Sequence, residues 1–264
     1  MKSKNPLLKS KIEPWVYGTI SVAIFLFIWY LVSLSDRIGT FFPNPFIVIK
    51  QFFLSFTNKI GRDTMPVHIL YSLRRVGTGY LLGVLIGIPL GLIMACSKLG
   101  RAIFMPWFSI VRPIPGLAWI PLAIIWFGLG EKSKYFLICM TALVGITIQT
   151  YYGALFVDKT LIGAGKMLGA NKVQLFFNVI IPGAFPNIFA GLQGSFAGAW
   201  CAVIAAEMIR SDQGTGWIIF NGMNYANTAQ VLVGMLAIGL VGFIIAELLK
   251  ALERRLCRWN IQGK

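Results

Sequence analysis

Six stretches of the chain, residues 15–34, 72–96, 103–127, 135–156, 188–207 and 231–249, stay apolar for about 19 to 25 residues each. That is the length a helix needs to cross the hydrocarbon core of a bilayer. Inside hydrocarbon the backbone must satisfy its own hydrogen bonds, as a helix does within a single run. The expected fold class is therefore an all-α integral membrane protein with about six transmembrane helices. Only 12% of the residues are charged and 57% are hydrophobic, whereas a soluble domain carries about 25% charge on its surface. The run 103–127 is interrupted by Arg112-Pro113-Ile114-Pro115, so its ends are the least defined, and a five-span count is the alternative.

The formal net charge of +15 could suit nucleic acid, but the placement of the cations excludes it. They sit at the chain ends and in short segments, with no basic stripe interleaved with stacking aromatics. On the segments joined to the termini stand Lys2, Lys4, Lys9, Lys11, Lys98, Arg101, Lys159, Lys166, Lys172, Lys250, Arg254, Arg255, Arg258 and Lys264. The opposite face carries Arg37, Lys50, Lys59, Arg62, Arg74, Arg75, Lys132, Lys134 and Arg210. The excess on the first set places both termini in the cytoplasm, with lipid headgroups as partners of the charged face. The first run is too long for a signal h-region and is not followed by a small-residue cleavage site, so it reads as a retained helix. The expected organisation is a cytoplasmic segment 1–14, a membrane domain 15–250 and a cytoplasmic tail 251–264.

Gly79, Gly83, Gly87 and Gly91 recur every fourth residue in the second run. This spacing lines them on one helix face and lets a second helix approach closely, either from the same chain or across a subunit seam. In the longest outer segment Phe42-Pro43-Asn44-Pro45 reads as a stiff turn, and 46–56 as a helix lying in the interface. Residues 158–186 form a long loop on the side of the termini. Within it Leu161, Ala164 and Leu168 share a helical face, and Gly169 stands where a left-handed residue ends a helix. A second short helix, 172–181, should stop at Pro182. Two short helices around a glycine make a knob suited to docking on another protein.

Chemistry of its own is not legible in the chain. Gly128-Leu129-Gly130-Glu131-Lys132-Ser133 fails the phosphate-loop pattern because Glu131 and Trp126 stand where glycines are required. Gly77-Thr78-Gly79 is not followed by the third glycine of a dinucleotide loop. The lone histidine, His68, reads as an interfacial residue at a helix start. Cys96, Cys139, Cys201 and Cys257 show no paired spacing, so no metal site is expected. The span acids Glu207 and Glu247 lie at helix ends, which weighs against an ion-coupled carrier without eliminating it. Arg112 is different. A guanidinium inside a span needs carbonyls, a partner or water. It either pins the broken helix through carbonyls freed by Pro113 and Pro115, or lines an anion path together with Pro113, Pro115 and Trp119.

The stretch Leu161-Ile162-Gly163-Ala164-Gly165-Lys166-Met167-Leu168-Gly169-Ala170, followed by Val179-Ile180-Ile181-Pro182-Gly183-Ala184 and Gly191-Leu192, resembles the EAA signature of permease subunits in ATP-binding-cassette (ABC) importers. Gly163 replaces the usual Glu and Gly165 the usual second Ala. Arg112-Pro113-Ile114-Pro115-Gly116-Leu117-Ala118-Trp119-Ile120-Pro121-Leu122, Trp126-Phe127-Gly128-Leu129-Gly130-Glu131, Ala206-Glu207-Met208 and Leu252-Glu253-Arg254-Arg255-Leu256 look like the taurine, aliphatic sulfonate, nitrate and bicarbonate branch. The resemblance implies a type I importer permease of the bacterial inner membrane, paired as a homodimer around an oxyanion path. It implies two separate ATPase subunits that bind ATP and Mg, and an extracytoplasmic solute-binding protein. It assigns coupling to Leu161, Gly163, Ala164, Gly165, Leu168, Gly169, Ala170 and Pro182.

Overall fold

The computed structural model describes residues 6–35, 39 and 41–257. The cations expected at Lys2, Lys4, Arg37, Arg258 and Lys264 lie outside the described residues. The helices run α1 (Pro6–Ser33), α2 (Pro45–Leu54), α3 (Met65–Cys96), α4 (Lys98–Val111), α5 (Ile120–Phe127), α6 (Glu131–Leu155), α7 (Lys159–Met167), α8 (Lys172–Leu175), α9 (Ile181–Ile209), α10 (Thr215–Asn224) and α11 (Thr228–Leu256). Among the described residues the only strand-like pairing is an isolated bridge between Ile60 and Asp63.

Helices α1, α3, α6 and α11, with the continuous stretch Lys172–Ile209, are each long and apolar enough to cross a membrane. The run 103–127 is not a straight span. It divides into α4 and a segment of 3₁₀ turn (Gly116–Trp119) plus α5, bent by 90°. The cause is local: Pro113 and Pro115 lack backbone donors, and each restricts the residue before it away from the helical region. The alternation of spans puts α2 and α10 at one end of the bundle and α7 and α8 at the other.

A second correction concerns Pro182. The helix does not stop there. Residues 176–180 form a π turn that runs directly into α9, and Ile181 N–H bonds the carbonyl five residues back, on Phe176. One extra residue in the turn makes room for the proline ring that would collide in a regular helix. The expected loop of 158–186 therefore shrinks to α7 and a short turn before the Lys172–Ile209 stretch.

The glycine row of α3 faces α6 of the same chain. All four glycines are buried. A Cβ on Gly79 would lie 2.6 Å from Ile138 Cβ, one on Gly83 2.9 Å from Ala142 Cβ, and one on Gly91 2.7 Å from the Thr147 carbonyl. The helix backbones can pack this closely because no side chain intervenes. Around this contact Val76, Ile138, Ala142, Ile146, Phe196, Ala199, Trp200 and Val203 form the main core, so α9 closes the third side. Trp200 Nε1 donates to the Ile238 carbonyl at 3.2 Å and fixes α11 against α9. By contrast α1 leaves its side chains from Val16 to Phe27 exposed. It is held through Trp29, whose Nε1 donates to the Pro43 carbonyl at 3.1 Å, and through Tyr30, edge-on to Phe46.

This packing generates a paired prediction. Gly79→Ala forces Ile138 and α6 to shift, at a cost of about 1–3 kcal/mol. Gly77→Ala, two residues away with nothing within 4 Å of the added carbon, should be neutral or stabilise by up to ~1 kcal/mol. Thermal unfolding of both variants in one detergent checks the difference, and equal shifts would contradict it.

Candidate functional site

Two regions carry the sequence-predicted residues, and a third region was not anticipated. The first is the knob. Asp158 caps α7 by accepting the Thr160 backbone N–H at 2.8 Å. That bond holds the exposed Asp158 carboxyl below the ordinary aspartate range, so the cap weakens as pH falls through its pKa in the folded chain. At the other end Gly169 has φ of +80°. Its N–H bonds the Lys166 carbonyl and the Ala170 N–H bonds the Gly165 carbonyl, each at 3.0 Å. These two bonds are the Schellman pattern, and they require the left-handed residue that glycine supplies at least cost. Asn171 and Gln174 then start α8 with a reciprocal capping box, both bonds 2.8 Å.

The knob projects apolar surface. Leu161 and Ala164 are exposed, and Leu168 is 88% exposed. Met167 at 92% and Val173 at 63% extend the same surface and were missed, although Met167 is three residues from Ala164 and helical spacing could have found it. The two unusual glycines differ in their surroundings. A Cβ on Gly165 would sit 2.7 Å from Leu175 Cδ2, so Gly165 lets α8 close on α7. Gly163 faces open space and contributes no packing. Pro182 lies at the head of α9, beyond the knob.

The second region is the bent passage. Arg112 is exposed at the end of α4, and its guanidinium has no hydrogen-bond or ion-pair partner among the described residues. The pinning expectation required bonds to freed carbonyls, and those bonds are not made. Instead Arg112, Ser109 and Pro113 border a recess of about 330 Å³ whose other walls are Met105, Phe108 and Ile148. Pro115 precedes the 3₁₀ turn, which presses on α6 so closely that a Cβ on Gly116 would collide with Thr141. Trp119 does not line the recess. It packs with Ala123, Leu137 and Ala206 and lies edge-on to Phe136 at 6.4 Å.

The unanticipated region lies at the opposite end of the bundle from the knob. Arg75, assigned from sequence to a surface cation set, is only 5% exposed. Its Nε and Nη2 each donate to one oxygen of Glu131 at 2.8 Å. Its Nη1 donates to Glu207 at 2.8 Å and to the Gln213 carbonyl at 2.6 Å. Lys134 adds a bond of 2.9 Å to Glu131. Glu207 is fully buried and also accepts from the Ser72 hydroxyl and the Gly216 N–H, each at 2.9 Å. His68, expected at an interface, is likewise fully buried. Its Nδ1 accepts the Gly214 N–H at 3.1 Å and its Nε2 lies 3.0 Å from the Ile60 carbonyl, while its ring stacks on Trp217. Two cations thus face two carboxylates, and the cluster ties α3, α6, α9 and the start of α10 together. Local spacing could not reveal it because the pairs that join the helices, Arg75 with Glu131 and Arg75 with Glu207, are 56 and 132 residues apart in the chain.

A buried charge that loses its partner is strongly destabilising. Arg75→Ala should therefore cost about 3–5 kcal/mol, because Glu207 would lose the one counter-charge it has among the described residues. Glu207→Gln should cost less than half as much, since Arg75 keeps both bonds to Glu131 and the amide oxygen can still accept from Gly216. Thermal unfolding in detergent measures both, and equal losses would show that charge pairing is not what holds this end.

Comparison with known proteins agrees with this architecture. Residues 87–258 match the family model for the binding-protein-dependent transport system inner membrane component, a stretch that includes the bent passage, the knob and Glu207. The chain is 33% identical over 242 residues to the taurine transport system permease protein TauC of Escherichia coli, covering 91% of this chain and 88% of that protein. It is 30% identical over 257 residues to the nitrate import permease protein NrtB of Synechocystis, with 96% and 93% covered. Its fold matches a chain of the inward-facing MetNI methionine ABC transporter with a TM-score of 0.59 at 20% identity, over 74% of this chain and 95% of that one. The chain belongs to the family of binding-protein-dependent transport inner membrane components, the permeases of ABC importers.

Proposed function

We propose that this permease forms the path for a small oxyanion, a sulfonate such as taurine before nitrate or bicarbonate, and couples that path to a separate ATPase. The observation that carries the substrate reading is Arg112, an unpartnered guanidinium beside a recess. An anion crossing a low-dielectric layer is disfavoured unless a fixed cation compensates it. The planar fork of arginine suits sulfonate or nitrate oxygens. Ser109 adds a hydroxyl, and the apolar walls from Met105, Phe108 and Ile148 favour an anion with a short hydrocarbon stem. Two relatives named for taurine and nitrate transport support the same class.

In this reading two copies of the chain pair so that both Arg112 side chains face the path. The knob meets one ATPase subunit per copy in the cytoplasm, where both termini also lie. ATP and Mg are held by the ATPase, and a solute-binding protein delivers substrate at the Arg75–Glu207 end. The exposed Leu161, Ala164, Met167 and Leu168 are the contact, and the Gly169 turn fixes their orientation. An ion-coupled carrier would need a buried acid free to exchange protons, but Glu207 is fully engaged.

Two substitutions test the halves separately. Ala164→Asp places a charge in the proposed contact. It should insert normally and retain the fold but fail to co-purify with the ATPase, because desolvating that charge costs on the order of several kcal/mol. Arg112→Gln should lower transport into proteoliposomes about tenfold or more, the worth of a charge-assisted hydrogen bond, with assembly and ATP hydrolysis intact. Arg112→Lys should retain partial transport. Full transport by the Gln variant would remove Arg112 from the path, and full transport by Ala164→Asp would place the contact elsewhere.

A further inference from the structure

At the knob end of the bundle a cavity of about 490 Å³ opens between the last turns of α3 and the π turn, walled by Pro89, Leu92, Ile93, Phe176, Phe177 and Ile181. Its size falls within the range of small-molecule sites. None of its lining residues is charged, and its one hydroxyl, on Ser97, caps α4 by accepting the Gly100 N–H at 3.1 Å. The cavity therefore suits an apolar body whose polar end lies outside. Two cations adjoin the lining residues in the chain. Lys98 follows Ser97 directly, and Lys172 stands one helical turn before Phe176. Both are exposed and neither has an ion-pair partner among the described residues.

We propose that this cavity holds an acyl chain of an anionic phospholipid from the leaflet on the knob side, with its headgroup on Lys98 and Lys172. Apolar lining combined with unpaired lysines is complementary to an amphiphile of that charge. The cavity is bounded by Pro89, which stands inside α3, and by the π turn. An acyl chain seated there supports the wide turn through which α7 and α8 connect to α9. Lipid occupancy thereby sets how firmly the knob is held. The lipid site itself needs neither the oxyanion nor the coupling assignment, and only its consequence for the knob rests on the proposed function.

The test uses the full chain purified in detergent, without ATPase or substrate, and measures lipid retained by native mass spectrometry together with thermal stability. Phosphatidylglycerol should be retained in preference to phosphatidylcholine and should raise the melting temperature where phosphatidylcholine does not. Lys98→Gln and Lys172→Gln should each reduce that preference about fivefold while leaving stability in lipid-free detergent unchanged. Leu92→Trp, which fills the cavity, should abolish retention of both lipids at this site. Equal retention of the two lipids, or undiminished phosphatidylglycerol retention by Leu92→Trp, would overturn the proposal. So would protection of Cys96, which also lines the cavity, from a thiol reagent by dimer formation in lipid-free detergent, because a second copy would then cover the cavity. Transport defects in Arg112 or Ala164 variants would not alter any of these readouts.

Discussion

Helices in lipid gain nothing from burying apolar side chains against each other, since the tails around them are equally apolar. Their association has to come from close contact and from polar bonds. In this chain the close contact is the α3–α6 seam, where Gly79, Gly83 and Gly91 bring one backbone within reach of Ile138, Ala142 and Thr147. Other elements are positioned from that seam. The turn Gly116–Trp119 leans on Thr141 and Phe136 of α6, and α9 packs Phe196, Ala199 and Val203 into the groove beside it. Removing the seam would remove the surface against which the bent passage is held.

The two ends of the bundle are built on opposite principles. At one end Arg75, Glu131, Lys134 and Glu207 form a charge-balanced cluster that joins α3, α6 and α9 and, through the Gly216 N–H on Glu207, reaches α10. Its bonds are directional and costly to leave unmade, which suits an end held in one arrangement. At the other end the knob is fixed within itself by the Asp158 cap, the Gly169 turn and the Asn171 capping box, while its outward face is apolar and unbonded. A surface of that kind can be covered and uncovered without breaking internal hydrogen bonds.

The apolar runs were legible because membrane thickness sets their length, and the structure retains five of them as helices. Gly169 was legible because only a left-handed position needs glycine just there. What sequence could not show follows a common physical reason. Arg75 and Glu207 look like surface and helix-end charges until the fold puts them 2.8 Å apart, and no local spacing encodes a partner 132 residues away. Pro182 reads as a helix stop because a regular helix cannot accept it, whereas a π turn supplies the extra residue. The bend after Val111 was marked by Pro113 and Pro115, but nothing in the local sequence indicated its 90° angle or the contact of Gly116 with Thr141 of α6.

The route between knob and recess runs through α6. Only residues 156–158 separate its last turn from α7, and Val157 among them is buried, its methyls 3.1 Å from where a Cβ on Gly183 would stand. Val157 thus anchors the knob to the head of α9 as well as to α6. Ile148, in the last third of α6, forms one wall of the recess that Arg112 borders, and Tyr151, one turn further on, packs with Phe108 of α4. A displacement of α7 that moves Val157 must therefore either shift the lower half of α6 against α4 or open the Val157–Gly183 contact. Packed interiors resist continuous deformation, so the coupling proposed above would reach the recess walls through α6 as long as the Val157–Gly183 contact holds, while Glu131 and Lys134 tie the far end of that helix to Arg75.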